Sequence, residues 1–241
     1  MQTVVAPVLA VLFIAAAVFL AWTHDTYAAS PERLDVVKTD PRVAYDDRGD
    51  VVVLRPTSRS DGHGLVFLAG AKVEPQAYAS GLRELAAEGT TVVIVKPFLN
   101  LALLESRRLD AFTAHAPDIR TWAVGGHSMG GVRACGYASA PEVKQLLLFA
   151  SYCSTHDLAD RSDLDVLSVH GTRDGLIARE SIEDSAVLMP ERTRVVHVDG
   201  VTHAQFGSYG AQSGDGTPLI SDDEAHERIT ALVLPFLGSQ E

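Results

Sequence analysis

The segment Val124-Gly125-Gly126-His127-Ser128-Met129-Gly130-Gly131 constrains this chain more than any other. The apolar run Thr121–Val124 before it reads as a strand, and Val132–Ala138 after it reads as a helix. The segment must turn one into the other within a few residues. A serine in so tight a turn is not there for packing, because the turn pushes its hydroxyl out of the fold. Gly126 and Gly130 permit the crowding and unusual dihedrals such a turn needs, and Gly125 and Gly131 allow close packing on both sides. A helix N-terminus behind Ser128 favours negative charge there. This geometry suits a nucleophile attacking a carbonyl. The bland alternative is an ordinary glycine-rich turn.

A serine nucleophile needs a base, usually histidine, and an acid to orient it. Asp165 to His170 reads as a buried strand and runs into the turn Gly171-Thr172-Arg173-Asp174-Gly175. Thr193–Val198 reads as another strand and runs into Asp199-Gly200-Val201-Thr202-His203. The order is then Ser128, Asp174, His203, each just past the carboxyl end of a strand, where ligands bind in open α/β sheets. Asp199 is the rival acid, close in sequence to His203.

With these three motifs in this order, the sequence resembles the α/β-hydrolase superfamily, in particular its small, nearly lidless, dienelactone-hydrolase-like members. The matching pieces are Gly126–Gly131, His170–Gly175 and Gly200–Gly207, and the resemblance spans about Val51 to Leu237. Dienelactone hydrolases use a cysteine nucleophile, whereas this chain has Ser128. That departure favours ester or related acyl chemistry over lactone opening. The resemblance implies that the Met129 amide forms one half of an oxyanion hole. The other half comes from the turn Ala69-Gly70-Ala71-Lys72, where aligning the glycine points to Ala71, with Lys72 as the alternative. The stretch after His203, Phe206-Gly207-Ser208-Tyr209-Gly210, resembles a recurring one in related hydrolases and is expected beside the site. The connection from Ala150 to Asp165, where many lipases insert a helical lid, is short and predicts an open cleft and small or extended substrates. Asn100, Tyr152 and Phe206 are the candidate pocket residues. Acyl transfer to an acceptor other than water, perhydrolysis, and a catalytically dead membrane-tethered binding protein are the competing readings. A small-molecule acyl substrate is the expected partner.

The rest of the chain alternates strand and helix signals, so the expected fold is α/β: a mainly parallel central sheet with helices on both faces, preceded by an N-terminal transmembrane helix. Strands are expected at Val51–Arg55, Leu65–Ala69, Thr91–Val95 and Gln145–Ala150 besides those named. Helices are expected at Pro75–Glu88, Leu99–His115, Arg179–Met189 and from about Asp222 to Leu237. Residues 1–23 form the membrane segment, 24–50 a linker with a first irregular strand, and 51–241 the hydrolase domain. The loop Ala211–Ile220, rich in Gly, Ser and Asp, is expected to be mobile or to rim the cleft.

A net charge of −11 argues against nucleic acid or an anionic membrane surface as a main partner. No phosphate-binding glycine motif follows a strand, so no nucleotide cofactor is expected, and none of any other kind. Of the nine histidines, none pairs with another at metal-ligand spacing beside a carboxylate, so no metal is expected. His127 is expected to pack or hydrogen-bond near the serine turn and His170 to buttress the acid turn; His24, His63, His115, His156 and His226 read as surface residues. The two cysteines, Cys135 and Cys153, are expected to be free.

From Val4 to Trp22 no residue is charged. As a helix the run spans about 28 Å, close to the hydrocarbon core of a bilayer, with Trp22 at the interface. No Lys or Arg precedes it, which favours an anchor over a cleaved signal peptide, although the small residues around Thr26-Tyr27-Ala28 would suit cleavage. Arg33, Lys38 and Arg42 follow the run, which by the positive-inside rule would hold the domain in the cytoplasm; an export signal would place it outside.

Overall fold

The computed structural model describes residues 2–238. Met1 and residues 239–241, which fall in the expected membrane segment and hydrolase domain, lie outside the described residues.

Short runs of β-branched and aliphatic residues with no polar alternation form strands buried on both faces, which is how a parallel sheet reads in sequence. The strands are β1 (Val43–Asp47), β2 (Val51–Pro56), β3 (His63–Leu68), β4 (Thr91–Val95), β5 (Thr121–His127), β6 (Val143–Phe149), β7 (Asp165–Gly171) and β8 (Arg194–Val198); the inner strands read this way, while the edge strands β1 and β8 are partly exposed. They form an eight-stranded sheet in the order β1-β2-β4-β3-β5-β6-β7-β8. β1, β2 and β4 pair antiparallel, and every pairing from β4 through β8 is parallel. β3 lies between β4 and β5, so the chain leaves it toward one side and returns on the other. Such a reversal opens a crevice at the carboxyl ends of the strands.

The period-two alternation of strand side chains divides the core in two. Leu65, Phe67, Val92 and Ile94 face one layer of helices: α2 (Pro31–Thr39), α3 (Ala79–Ala87) and α7 (Asp222–Leu237). Val66, Leu68, Val93 and Val95 face the other, which holds α4 (Asp110–Thr113) and α5 (Met129–Ala138). A further helix, α6 (Arg179–Ser185), follows β7. Capping signals set the helix starts. Ser30 accepts the Arg33 N–H before Pro31 opens α2, and Ser221 accepts the Glu224 N–H ahead of the acidic first turn of α7.

The structure departs from the sequence reading at several points. The expected linker 24–50 contains α2 and a regular β1, because Ser30-Pro31 starts a helix whose Val37 is fully buried in the core. The expected helix Leu99–His115 is instead two 3₁₀ turns, Phe98–Asn100 and Ala102–Leu104, followed by the short α4. Leu99 and Asn100 have φ of 53° and 56°, and the buried Glu105 carboxylate takes the Arg107 amide and guanidinium, so a continuous helix cannot form. His226 is half-buried with its ring against Gly81 rather than on the surface.

Cys135 and Cys153 are joined in a disulfide, not free. Gly131 lets α5 press against Ser151 at the end of β6, where a Cβ would lie 2.4 Å from the Ser151 hydroxyl. That approach leaves the two cysteine Cα atoms 5.7 Å apart, within disulfide reach.

Helix α1 (Gln2–His24) projects from the domain with its apolar side chains exposed: Leu9, Leu12, Phe13 and Ile14 meet no core. It is long and apolar enough to cross a membrane.

Candidate active site

Ser128 sits between β5 and α5 with φ 52° and ψ −124°, a conformation few non-glycine residues adopt. Two glycines allow it. A Cβ on Gly126 would lie 2.4 Å from the Gly130 carbonyl carbon, and a Cβ on Gly130 would lie 2.2 Å from the Leu68 carbonyl oxygen. The Ser128 amide donates to the Phe149 carbonyl at 2.9 Å, and its own carbonyl accepts the Ser151 hydroxyl at 2.7 Å. The serine is thus held from below while remaining half-exposed.

His203 and Asp174 meet although they are distant in sequence. Asp174 Oδ2 lies 2.9 Å from His203 Nδ1. A carboxylate only accepts, so Nδ1 donates the hydrogen of this bond. The other oxygen, Oδ1, accepts the amides of Leu176 at 2.8 Å and Ile177 at 2.9 Å. Burial alone would raise the Asp174 pKa; the His203 hydrogen bond, the imidazole's charge and the two amides outweigh it and hold it below the ordinary carboxylate value. Asp199 instead accepts the Thr172 hydroxyl at 2.9 Å and makes no bond to His203.

His127 ties these parts together. Its Nε2 lies 3.1 Å from the His203 carbonyl, which only accepts, so Nε2 carries the proton. Its Nδ1 therefore accepts from the Tyr78 hydroxyl at 2.8 Å, and that hydroxyl accepts the Gly70 amide at 3.0 Å. A buried relay runs from the turn after β3, through Tyr78 and His127, to the backbone of His203. Burial, and then the neighbouring His203, push the His127 pKa well below its ordinary value and keep the ring neutral. Burial raises the Tyr78 pKa against the Gly70 amide, so the phenol also stays neutral. His170 is buried near the end of β7, with Nε2 2.7 Å from the Ser168 hydroxyl.

Met129 opens α5, and Ala71 lies in the turn after β3. Among the described residues neither amide donates to a protein acceptor. Both are free to meet a developing oxyanion. Lys72, the alternative donor, has its amide engaged by the Asn100 carbonyl at 2.8 Å. Every non-glycine residue with positive φ among the described residues lies just past a strand end: Lys72 after β3, Leu99 and Asn100 after β4, Ser128 after β5, Ala150 after β6. Backbone strain is concentrated on this edge.

Residues 64–227 match the sequence profile of the alpha/beta hydrolase family. The chain belongs to that family. Solved structures with this fold include XC6422 of Xanthomonas campestris, described as an α/β serine hydrolase without a lid. It shares 14% identity at a TM-score of 0.53, over 84% of this chain and 98% of its own. TT1662 of Thermus thermophilus shares 16% identity at a TM-score of 0.59, over 83% of this chain and 100% of its own. Est1E of Butyrivibrio proteoclasticus shares 14% at 0.52, over 80% and 96%. No curated protein sequence is significantly similar to the chain.

Within this alpha/beta hydrolase the three pocket candidates have different surroundings. Tyr152 is half-buried and lines a cavity of about 160 Å³ with Leu148, Ile182 and Met189. Asn100 spends its side-chain amide on the Thr23 carbonyl at 3.0 Å. Phe206 is buried behind the site, its ring 5.9 Å from that of His127 and 5.3 Å from Phe149. Phe206 therefore packs beneath the histidines rather than lining a pocket. Between β6 and β7 there is no helix. Among the described residues no cluster of three or more His, Cys, Asp or Glu could hold a metal ion.

The loop Ala211–Ile220, expected to be mobile or to rim the cleft, carries a clamp at Asp215. Asp215 Oδ1 accepts the amides of Gly175 at 3.0 Å, His203 at 3.1 Å and Gly216 at 2.7 Å, and Oδ2 accepts that of Ala204 at 2.8 Å. One carboxylate fixes the acid turn to the histidine turn. Tyr78, Ser151 and Asp215 were not singled out from sequence. The only signal for Asp215 is an acid set between Gly214 and Gly216, a site of close backbone approach.

Proposed function

We propose that the protein is a serine hydrolase that cleaves an ester or related acyl bond, with Ser128 as nucleophile, His203 as base and Asp174 as orienting acid. The observations that carry this reading are the strained Ser128 turn, whose preceding residue His127 has its ring 4.4 Å from that of His203, and the His203–Asp174 pair bonded at 2.9 Å. His203 Nε2 takes the proton of Ser128 Oγ as that oxygen bonds to the carbonyl carbon. The carbonyl oxygen becomes an oxyanion, stabilised by the Met129 and Ala71 amides. The intermediate collapses, and the leaving alkoxide takes the proton back from His203. Water then repeats the sequence on the acyl-enzyme and frees Ser128. Asp174 holds the Nδ1–H tautomer and stabilises the imidazolium.

The buried Cys135–Cys153 bridge supports an oxidising compartment for the domain and weighs against the cytoplasmic orientation that the basic residues after α1 suggest. We therefore read α1 as an anchor with the domain on the exported side.

The test is turnover of p-nitrophenyl esters of graded chain length, with fluorophosphonate labelling in parallel. Ser128→Ala is expected to abolish both. Labelling that survives this substitution overturns the assignment. Asp174→Asn is expected to lower kcat by about 10⁴; an unchanged rate would move the acid role to Asp199.

A further inference from the structure

α1 does not end at a flexible tether. Its last turn and the strand-like segment after it are fastened to the turn that supplies Ala71. The Thr23 carbonyl accepts the Asn100 side-chain amide, and the Asn100 carbonyl accepts the Lys72 amide. The Lys72 carbonyl accepts the Tyr27 amide at 2.7 Å, the Tyr27 carbonyl accepts the Glu74 amide at 3.0 Å, and Tyr27 bridges Val73 as a strand. The Lys72 ammonium lies 4.9 Å above the Trp22 ring and 3.4 Å from Asp25. α1 also packs against the 3₁₀ turn Phe98–Asn100.

These contacts orient the catalytic edge. β4 lies two strands from β5 in the sheet, so the segment after β4 is displaced roughly 10 Å from Ser128 along the same edge. That segment exposes Phe98, Leu103 and Leu104, at 65%, 55% and 45%. Three exposed apolar side chains within seven residues, beside the exit of an apolar helix, make the kind of surface that marks an interaction site. Trp22, half-exposed at the end of α1, is the residue type that sits at headgroup depth.

We infer that the carboxyl edge of the sheet is pressed onto the bilayer that holds α1, with Phe98, Leu103 and Leu104 in the interface, and that the substrate is an acyl ester carried by a bilayer lipid. This rests on the hydrolase reading above. α1 fixes the distance: a helix emerging from the membrane and stitched to the oxyanion turn leaves no slack for the site to turn toward water. The 3₁₀ segment supplies the apolar contact, and the lidless mouth lets an acyl chain reach Ser128 without a conformational opening.

The test uses the full chain reconstituted in phosphatidylcholine vesicles. Two substrates are compared: water-soluble p-nitrophenyl acetate and a fluorogenic long-chain ester dissolved in the bilayer. The triple variant Phe98→Ser, Leu103→Ser, Leu104→Ser is expected to turn over the bilayer ester roughly tenfold more slowly or worse, the factor for losing about one buried apolar side chain from the interface, while acetate turnover stays within about twofold. Equal rates on both substrates overturn the proposal, and so does a parallel fall on both. A wild-type chain that hydrolyses neither substrate and takes no fluorophosphonate defeats the hydrolase reading instead. A second measurement does not depend on catalysis. Leu103→Trp is expected to add fluorescence that chain-brominated lipids quench, and added fluorescence that they leave unquenched overturns the proposal.

Discussion

Asp215→Asn tests whether the loop after His203 sets the catalytic geometry. In the native protein three amides meet Oδ1 and one meets Oδ2. Asparagine keeps a single acceptor. It best replaces Oδ1, which leaves its NH₂ against the Ala204 N–H, donor facing donor. One charge-assisted bond is lost, and the others weaken with the lost charge. A hydrogen bond to a charged group contributes about 1.5–3 kcal/mol, and the half-exposed position favours the low end, so the cost is about 2 kcal/mol. For a chain of this length that lowers Tm by about 4–8 °C. The catalytic effect is separate. His203 and Ala204 hang from Asp215 by their amides while Gly175 carries the acid turn, so the two halves of the His203–Asp174 pair lose a common reference. A displacement near 1 Å costs on the order of 10²-fold, and kcat should fall by about 10–100-fold with KM nearly unchanged. Asp215→Ala, which removes every acceptor, should fall further on both measures. The assays are a thermal melt and steady-state kinetics on p-nitrophenyl acetate. A lowered Tm with an unchanged kcat would refute the positioning argument and leave Asp215 as a loop staple only.

Two further predictions concern stability. Burial, and then the neighbouring His197, push the His170 pKa down from 6.5 to about 4. The unfolded chain therefore binds a proton that the folded one refuses, and stability is complete above pH 6.5 and falls as the pH drops toward 4. At about 1.36 kcal/mol per unit this one residue accounts for a loss of about 3 kcal/mol, and urea unfolding at pH 7 and pH 4 should show a correspondingly flatter dependence in His170→Gln; identical slopes would refute it. Cys135→Ser with Cys153→Ser should lower unfolding free energy by about 3 kcal/mol, from the chain freedom restored to the unfolded state, and dithiothreitol should reproduce the shift in the wild type but not in the variant. Coincident curves with and without reductant would show that the bridge does not stabilise the domain.

The parts of the site that could be read in the sequence share one property: each catalytic candidate is joined covalently to a strand that announces itself. Ser128 follows Thr121–His127, Asp174 follows Asp165–Gly171, and His203 follows Arg194–Val198 within a few residues. A buried parallel strand is a short apolar run, and a turn residue after it must fall on the carboxyl edge. The supporting groups lack that link. Tyr78 reaches His127 from a helix start across the sheet, and Asp215 reaches Gly175 across a separation of 40 residues. Nothing in the local pattern of either residue records its partner. The Cys135–Cys153 pair failed for the same reason, since two cysteines give no clue to distance until α5 is laid on β6. The difference over Leu99–His115 has another source: the leucines there suit a helix, but the start of the segment is held at Asn100 by Lys72 and Thr23, where Leu99 and Asn100 take left-handed dihedrals.

That difference bears on how the site works. The residues whose conformation the sequence misreports, Leu99 and Asn100, lie on the same edge as Ser128, Lys72 and Ala150, all with positive φ. Each such residue costs about 1–3 kcal/mol and persists only where its surroundings over-determine it. Here those surroundings are the largely buried strands β3, β4, β5 and β6 before them, and the segment Thr23–Tyr27 bonded to Asn100 and Lys72. A rigid sheet fixes the lower end of the edge and α1 fixes one side of it. The serine turn shares its edge with a turn that α1 helps to hold, so freeing that helix should relax the Lys72 turn before it disturbs the core.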